Sequence, residues 1–193
     1  MTPDAISGIL RAELRPKRFK HTMGVMATAR ELADIHGENE DKAQRAGLLH
    51  DNAKALSLEQ MRRIAGESGL EIGAGESASA SLMHAPVGAY LAKERFGEQD
   101  EEVLDAIRYH TTGRPNMSAL EAIVYLADMI EPGRADFEGL GELRKLARRD
   151  LFAALERGLY LSNSYVLERK QPLFERSAQA YEWIRHYNET RNV

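Results

Sequence analysis

The sequence has no cysteine in its 193 residues. Disulfides and thiolate metal sites are therefore excluded, and histidine and carboxylate remain as the strong ligands available. No run of about eighteen apolar residues occurs, so no membrane span is expected. The first residues, Met1 to Ile6, contain no basic segment followed by an apolar stretch. That argues against a signal peptide and for a cytoplasmic protein. A basic stripe is missing too: the net charge is −4, with both signs mixed along the chain. Such a composition does not suit a duplex nucleic-acid binder. A small phosphorylated ligand stays open, because a local cluster of lysine and arginine can sit inside an acidic whole. Internal repeats, linker-like segments and alternating strand patterns are also lacking.

What is present is an ordinary globular composition, 43% hydrophobic and 29% charged. The length suits one domain with a real core. Glycine, proline and capping residues cut the chain into helical segments. Thr2-Pro3-Asp4 opens the first, with proline in a first-turn position where its missing N–H costs nothing. A second helix is expected from Lys17 to His36, stopping at Gly37. There His21, Val25, Thr28 and Leu32 share a face. A third carries Ala43, Gly47 and His50 on one stripe of mostly small residues. Ser57-Leu-Glu-Gln60 and Ser118-Ala-Leu-Glu121 read as capping boxes that open further helices. Residues 66–79, rich in Gly, Ser and Ala, are expected to form a surface loop. Helices are expected over Ser81–Phe96, Asp100–His110, Ser118–Ile130, Gly139–Arg148 and Leu151–Lys170, with a last one after Pro172 holding Trp183. The expectation is an all-α single domain.

The chemistry concentrates at Leu49-His50-Asp51. Neighbouring residues point about 100° apart in mid-helix, so they rarely share a target there. At a helix end the geometry relaxes, and an imidazole nitrogen and a carboxylate oxygen can meet on one cation. His21 lies upstream on another helix. Asp128 lies downstream in Ala122-Ile-Val-Tyr-Leu-Ala-Asp-Met-Ile130, an apolar run in which an unpartnered carboxylate would cost several kcal/mol. These two histidines and two aspartates read as a divalent-metal site spread over three helices, suited to activating water. His84 and His110 also lie near apolar stretches or helix ends. His36 and His186 read as solvated or capping histidines.

Two loops next to these residues look equipped for phosphate. After His110 comes Thr-Thr-Gly-Arg114, and after Asp128 comes Met-Ile-Glu-Pro-Gly-Arg134. Arginine is a bidentate donor, and glycine lets backbone approach closely. Lys54, three residues after Asp51, is placed to add a cation over the same pocket. Arg18, one turn before His21, is placed to clamp phosphate.

His21, the His50-Asp51 doublet and Asp128 together resemble the HD-domain metallophosphohydrolase pattern. More narrowly, four stretches are similar to the YqeK-type bacterial symmetrical bis(5'-nucleosyl)-tetraphosphatases, the diadenosine tetraphosphate hydrolases. They are Arg18-Phe-Lys-His21-Thr-Met-Gly-Val25, Ala46-Gly-Leu-Leu-His-Asp-Asn-Ala-Lys54, Tyr109-His-Thr-Thr-Gly-Arg114 and Tyr125-Leu-Ala-Asp-Met-Ile-Glu-Pro-Gly-Arg134. The resemblance implies a helical HD core over about residues 16–135, completed by C-terminal helices over about 139–190. It implies iron, with manganese or cobalt as substitutes, held by His21, His50, Asp51 and Asp128. Substrate contacts are implied at Arg18, Asn52, Ala53, Lys54, His84, His110 and Arg134, and catalytic roles at Asp51, His84, His110 and Asp128. The implied reaction is hydrolysis of diadenosine tetraphosphate at its central bridge to two ADP. His84 and His110, if cationic, would stabilise developing charge or protonate the leaving group. Lys170 to Ser177 resembles the family's nucleotide-contacting segment only loosely, with departures at Arg176, Ser177 and Glu182. Other HD-domain phosphohydrolases, a nucleotidase or a (p)ppGpp hydrolase, share the four ligands. A non-catalytic nucleotide-binding regulator and a purely structural helical adaptor are the rivals from other classes. Gly- and Ala-rich helix faces leave a homodimer open.

Overall fold

The computed structural model describes residues 1–191. Among them it has helices and no strand, so the chain is all-α. In order these are α1 (Pro3–Glu13), α2 (Pro16–His36), α3 (Glu40–Leu49), α4 (Leu58–Ser68), α5 (Ala74–Ser77), α6 (Ala80–Glu94), α7 (Glu101–Tyr109), α8 (Ala119–Ile130), α9 (Leu140–Ala147), α10 (Leu151–Glu168) and α11 (Glu175–Arg191). Their boundaries follow local chemistry. Thr2, Asn39, Ser57, Ser79, Asp100, Ser118 and Asp150 each cap a helix start, their side chains accepting a backbone N–H within the first turn. Both expected capping boxes form, at Ser57/Gln60 and at Ser118/Glu121. Gly37 closes α2 with φ of 72°, the left-handed conformation that glycine adopts without penalty.

α8 is the central helix, packed by α2, α3, α7, α9 and α10. That position explains its composition: a helix covered on nearly all sides must be apolar nearly all round. Residues from Leu120 to Ala127 are buried throughout. One hydrophobic cluster runs from Ile6 in α1 to Ile184 in α11, so the helices after α8 share the core of those before it. A smaller cluster, Ala53, Met61, Ala65, Met83 and Val87, packs α4 against α6.

α2 and α3 approach closely at Gly47. A Cβ there would stand 2.9 Å from Met26 Cα and 3.2 Å from Ala29 Cβ, so only glycine permits this crossing. The small-residue stripe seen in the sequence is thus a packing device.

Residues 66–79 depart from the expected loop. α4 continues through Ser68, and α5 forms inside the segment. Four residues cannot hold a helix by propensity alone. α5 is held by tertiary contacts: Glu76 is 2% exposed and accepts Arg176 Nη1, while Phe174 packs against Gly75. His36 also differs from the capping role read for it. Its Nε2 donates to the Ala147 carbonyl at 2.7 Å, tying the end of α2 to the end of α9.

Candidate metal and phosphate site

His50 and His110 are positioned in the same way. Each is the C-cap of its helix, α3 and α7, with helical backbone angles. Each Nδ1–H donates to the carbonyl three residues back, Gly47 for His50 and Ile107 for His110, both at 2.7 Å. Those carbonyls belong to the last helical turn, where no amide follows to claim them. The bond fixes the tautomer, so Nε2 of each ring carries a lone pair directed inward. After His50 the chain turns sharply. Asn52 Nδ2 donates to the Leu49 and Gly88 carbonyls at 2.7 and 2.8 Å, which ends α3 and ties it to α6. Asp51 emerges from this turn between the histidines, 2% exposed.

Asp51 divides the site. Its Oδ2 faces His21 Nε2 at 3.8 Å, His50 Nε2 at 3.4 Å and Arg18 Nη1 at 2.8 Å. Its Oδ1 faces His84 Nε2 at 3.2 Å, Lys54 Nζ at 3.7 Å and His110 Nε2 at 3.9 Å. Two groups of ligand-bearing side chains share Asp51: His21–His50–Asp51 and Asp51–His84–His110, the ligand atoms of each within 4.8 Å of one another. Asp128, one-fifth exposed at the rim, places Oδ1 3.0 Å from His21 Nε2 and 3.6 Å from Arg134 Nη1.

The first group fits a metal. His21 Nε2 and His50 Nε2 are buried and make no hydrogen bond. A buried imidazole lone pair facing a carboxylate is unfavourable unless a proton or a cation lies between them. Two such nitrogens and an Asp51 oxygen are the N/O donors that first-row divalent metals accept; Asp128 stands beside His21 at 3.0 Å but is not part of that converged group. The second group has its polar atoms occupied. His84 Nε2 lies between Asp51 Oδ1 at 3.2 Å and His110 Nε2 at 3.0 Å, and Lys54 Nζ stands 3.1 Å from His84 Nδ1 and 3.0 Å from its Nε2.

The electrostatics follow this division. Burial opposes ionisation of Asp51, but His50, the His84 hydrogen bond and Lys54 outweigh it and hold its carboxyl well below the usual range. Asp128 is likewise held low, burial being outweighed by the nearby His21 and His50 rings. Burial works against the charged form of His50 as well, yet the Asp51 carboxylate beside it wins and raises its pKa. Burial pushes His84 down, and it pushes His110 down to about 3 with help from the charges of His84 and His50. Both are thus neutral near pH 7, not the cations that the sequence reading entertained. Lys54 is lowered by burial, Arg18 adding to the effect.

The residues read as phosphate contacts fall into two kinds. Arg18, Lys54 and Arg134 have half-exposed heads around the carboxylates. Asn52 is buried and its amide N–H groups are spent on backbone carbonyls, while Ala53 packs into the smaller core cluster and has only backbone to offer. Arg114 is not free for phosphate. Its Nε and Nη2 are engaged by the buried carboxylate of Glu121 at 2.7 and 3.2 Å, Nη2 also meets Asp105 at 2.9 Å, and the guanidinium lies over the Tyr109 ring. The sequence reading also missed Glu131, which is 3% exposed and accepts from His21 Nδ1 at 3.2 Å. Its sequence signal was a glutamate directly after the apolar run of α8.

The chain is similar to known proteins over most of its length. The HD domain family model matches residues 18–133. A Bacillus subtilis protein named bis(5'-nucleosyl)-tetraphosphatase, symmetrical, is 42% identical over 91% of this chain and 93% of its own length. A protein of the same name from Halalkalibacterium halodurans is 40% identical over 90% of this chain and 91% of its own. A crystal structure from Clostridium acetobutylicum, described as a predicted HD superfamily hydrolase involved in NAD metabolism, superposes with a TM-score of 0.90 at 41% identity, covering 97% of this chain and 98% of that one. The site-bearing residues from Arg18 to Asp128 lie inside the matched region, and the chain belongs to the HD-domain family, alongside the symmetrical bis(5'-nucleosyl)-tetraphosphatases.

Proposed function

We propose that this protein is a metal-dependent hydrolase that cleaves diadenosine tetraphosphate at its central bridge into two ADP. The observation that carries the proposal is the asymmetry about Asp51: two buried, unbonded imidazole nitrogens on one side, and a hydrogen-bonded lysine–histidine–histidine cluster on the other. The names of the relatives support the substrate. His21, His50, Asp51 and Asp128 would hold the metal. Iron is the metal this reading favours, with manganese or cobalt as substitutes that the same donor set accepts. A divalent metal bound there supplies water acidified toward a pKa of about 7.

The rest of the work falls to side chains. Arg18, Lys54 and Arg134 bind phosphate oxygens, which draws them away from the carboxylates they face in the free protein. Asn52 fixes the turn that presents Asp51, and Ala53 contributes backbone. Water oxygen forms the new bond to one inner phosphorus, the bond from that phosphorus to the central bridging oxygen breaks, and ADP leaves in line. ADP leaves as an anion whose charge the Lys54 ammonium offsets, and the protons of the attacking water pass to solvent; His84 and His110, neutral and bonded to each other, hold Lys54 and Asp51 Oδ1 in place. A nucleotide substrate fits a cytoplasmic setting and a single-domain enzyme with an HD core over about 16–135.

Product analysis tests the reading. Protein loaded with Fe²⁺ or Mn²⁺ is incubated with diadenosine tetraphosphate, and ADP as sole product is expected. AMP plus ATP would overturn the symmetrical register. Bound metal without turnover would overturn the hydrolase reading, and preference for (p)ppGpp or a mononucleotide would replace the substrate.

A further inference from the structure

His21 lacks what orients the other two rings. His50 and His110 sit at helix ends and use free carbonyls, whereas His21 lies in the second turn of α2, where the preceding carbonyls belong to the helix ladder. Its Nδ1 acceptor must come from elsewhere. The C-cap of α8 provides it: Glu131 Oε1 stands 3.2 Å from His21 Nδ1, three residues after Asp128, whose Oδ1 stands 3.0 Å from His21 Nε2. One helix end thus presents a carboxylate to each nitrogen of a ring on its neighbour.

We infer that Glu131 is a positioning residue for the metal site: its carboxylate accepts from His21 Nδ1–H, turns the Nε2 lone pair inward, and makes that nitrogen a stronger donor. The inference rests on the metal reading above. Three features hold the carboxylate in place. Oε2 accepts the Gly133 N–H at 2.6 Å. The backbone beneath it is clamped from α9, Arg144 donating through Nε to the Ile130 carbonyl and through Nη2 to the Glu131 carbonyl, both at 2.9 Å. Space for it is reserved on α2, where a Cβ at Gly24 would collide with Oε2. The glycine in Thr22-Met-Gly24 is therefore the slot for a carboxylate arriving from another helix. His21 is also the sole side chain forming an ion pair with Glu131 among the described residues. A buried carboxylate is costly without compensation, so placing one against a single imidazole points to a job at that imidazole. A carboxylate behind a ligating histidine has that job in metal sites generally, where its loss weakens metal binding by about 10–100-fold.

Two variants test this by different routes. Glu131→Gln keeps the shape and removes the charge. Gly24→Ala keeps the carboxylate and displaces it, while the substitution itself raises helix propensity in α2. The measurement is Co²⁺ titration of the metal-free full chain, read by affinity and by visible ligand-field bands, with melting temperature and far-ultraviolet circular dichroism alongside. Wild type is expected to take up stoichiometric Co²⁺. Both variants are expected to remain folded, to bind Co²⁺ about 10–100-fold more weakly and to show shifted bands. If either variant is unfolded, the other carries the test. Folded variants with wild-type Co²⁺ affinity and bands overturn the inference, and a lowered melting temperature alone would assign Glu131 to packing. Failure of wild type itself to bind Co²⁺ removes the metal reading and the inference with it.

Discussion

The two sides of Asp51 are built from the same residue types and are not equivalent. On the Oδ2 side, His21 and His50 bring buried nitrogens that make no hydrogen bond. On the Oδ1 side, His84 and His110 are bonded to each other, and Lys54 lies against them as a resident cation. Ligand type alone does not separate a metal centre from a hydrogen-bonded histidine pair. What separates them is whether the lone pairs already have partners. Asp51, with one oxygen on each side, couples the two.

The comparison breaks most completely at Asp51 itself. Asp51→Ala removes the shared carboxylate, and losing a metal's several kcal/mol of transition-state stabilisation corresponds to about a thousandfold or more in rate. Turnover of diadenosine tetraphosphate should vanish with helix content retained; an active variant would refute the assignment. A pair of variants then separates the two sides. His50→Ala should lose bound metal, whereas His110→Ala should keep it and lose about 10–100-fold in activity, the usual cost of removing a group that holds a metal ligand in place. Equal metal loss in both, measured by elemental analysis, would place a metal on the Oδ1 side as well.

Acid stability sharpens the contrast further. His110 titrates near 3 in the folded protein against about 6.5 unfolded, so between those values the unfolded state binds more protons. Stability from this group is full above the unfolded value and falls as pH drops through that window. From pH 7 to 5 the metal-free protein should lose about 2 kcal/mol on this account. Urea midpoints at the two pH values measure it, and His110→Gln should show a smaller loss; an equal loss would assign the effect elsewhere. The smallest effect is expected at Lys54. Lys54→Met should raise KM about tenfold through a lost charge-assisted phosphate contact, with metal content unchanged. An unchanged KM would remove Lys54 from the substrate contacts.

Much of this was legible in the sequence because the signals are local. His50-Asp51 at a helix end and Asp128 in an apolar run announce themselves by neighbours alone. Asp128 proves less enclosed than its sequence suggests, being at the rim. Arg114 misleads for a physical reason. Its loop has the residues of a phosphate cradle, but the guanidinium is claimed by Glu121, which serves at once as capping-box residue and buried counter-ion. The position of Glu131 after an apolar run gave its place but not its role, and α5 gave no signal, because both roles arise only when distant segments meet: α8 against α2 for the first, residues 174–176 against 75–76 for the second. Periodicity and capping are properties of one stretch of chain, and these contacts are not.

The close crossing at Gly47 reaches further than packing. The same residue lends its carbonyl to His50 and lets α3 lie directly on the helix that carries His21, whose ring centroid is 5.4 Å from that of His50. The span between two proposed ligands is thus gauged by a side chain that is only a hydrogen atom. A methyl group added there would act as a shim between the helices, and it would register at the site as a change in which ionic radius fits best.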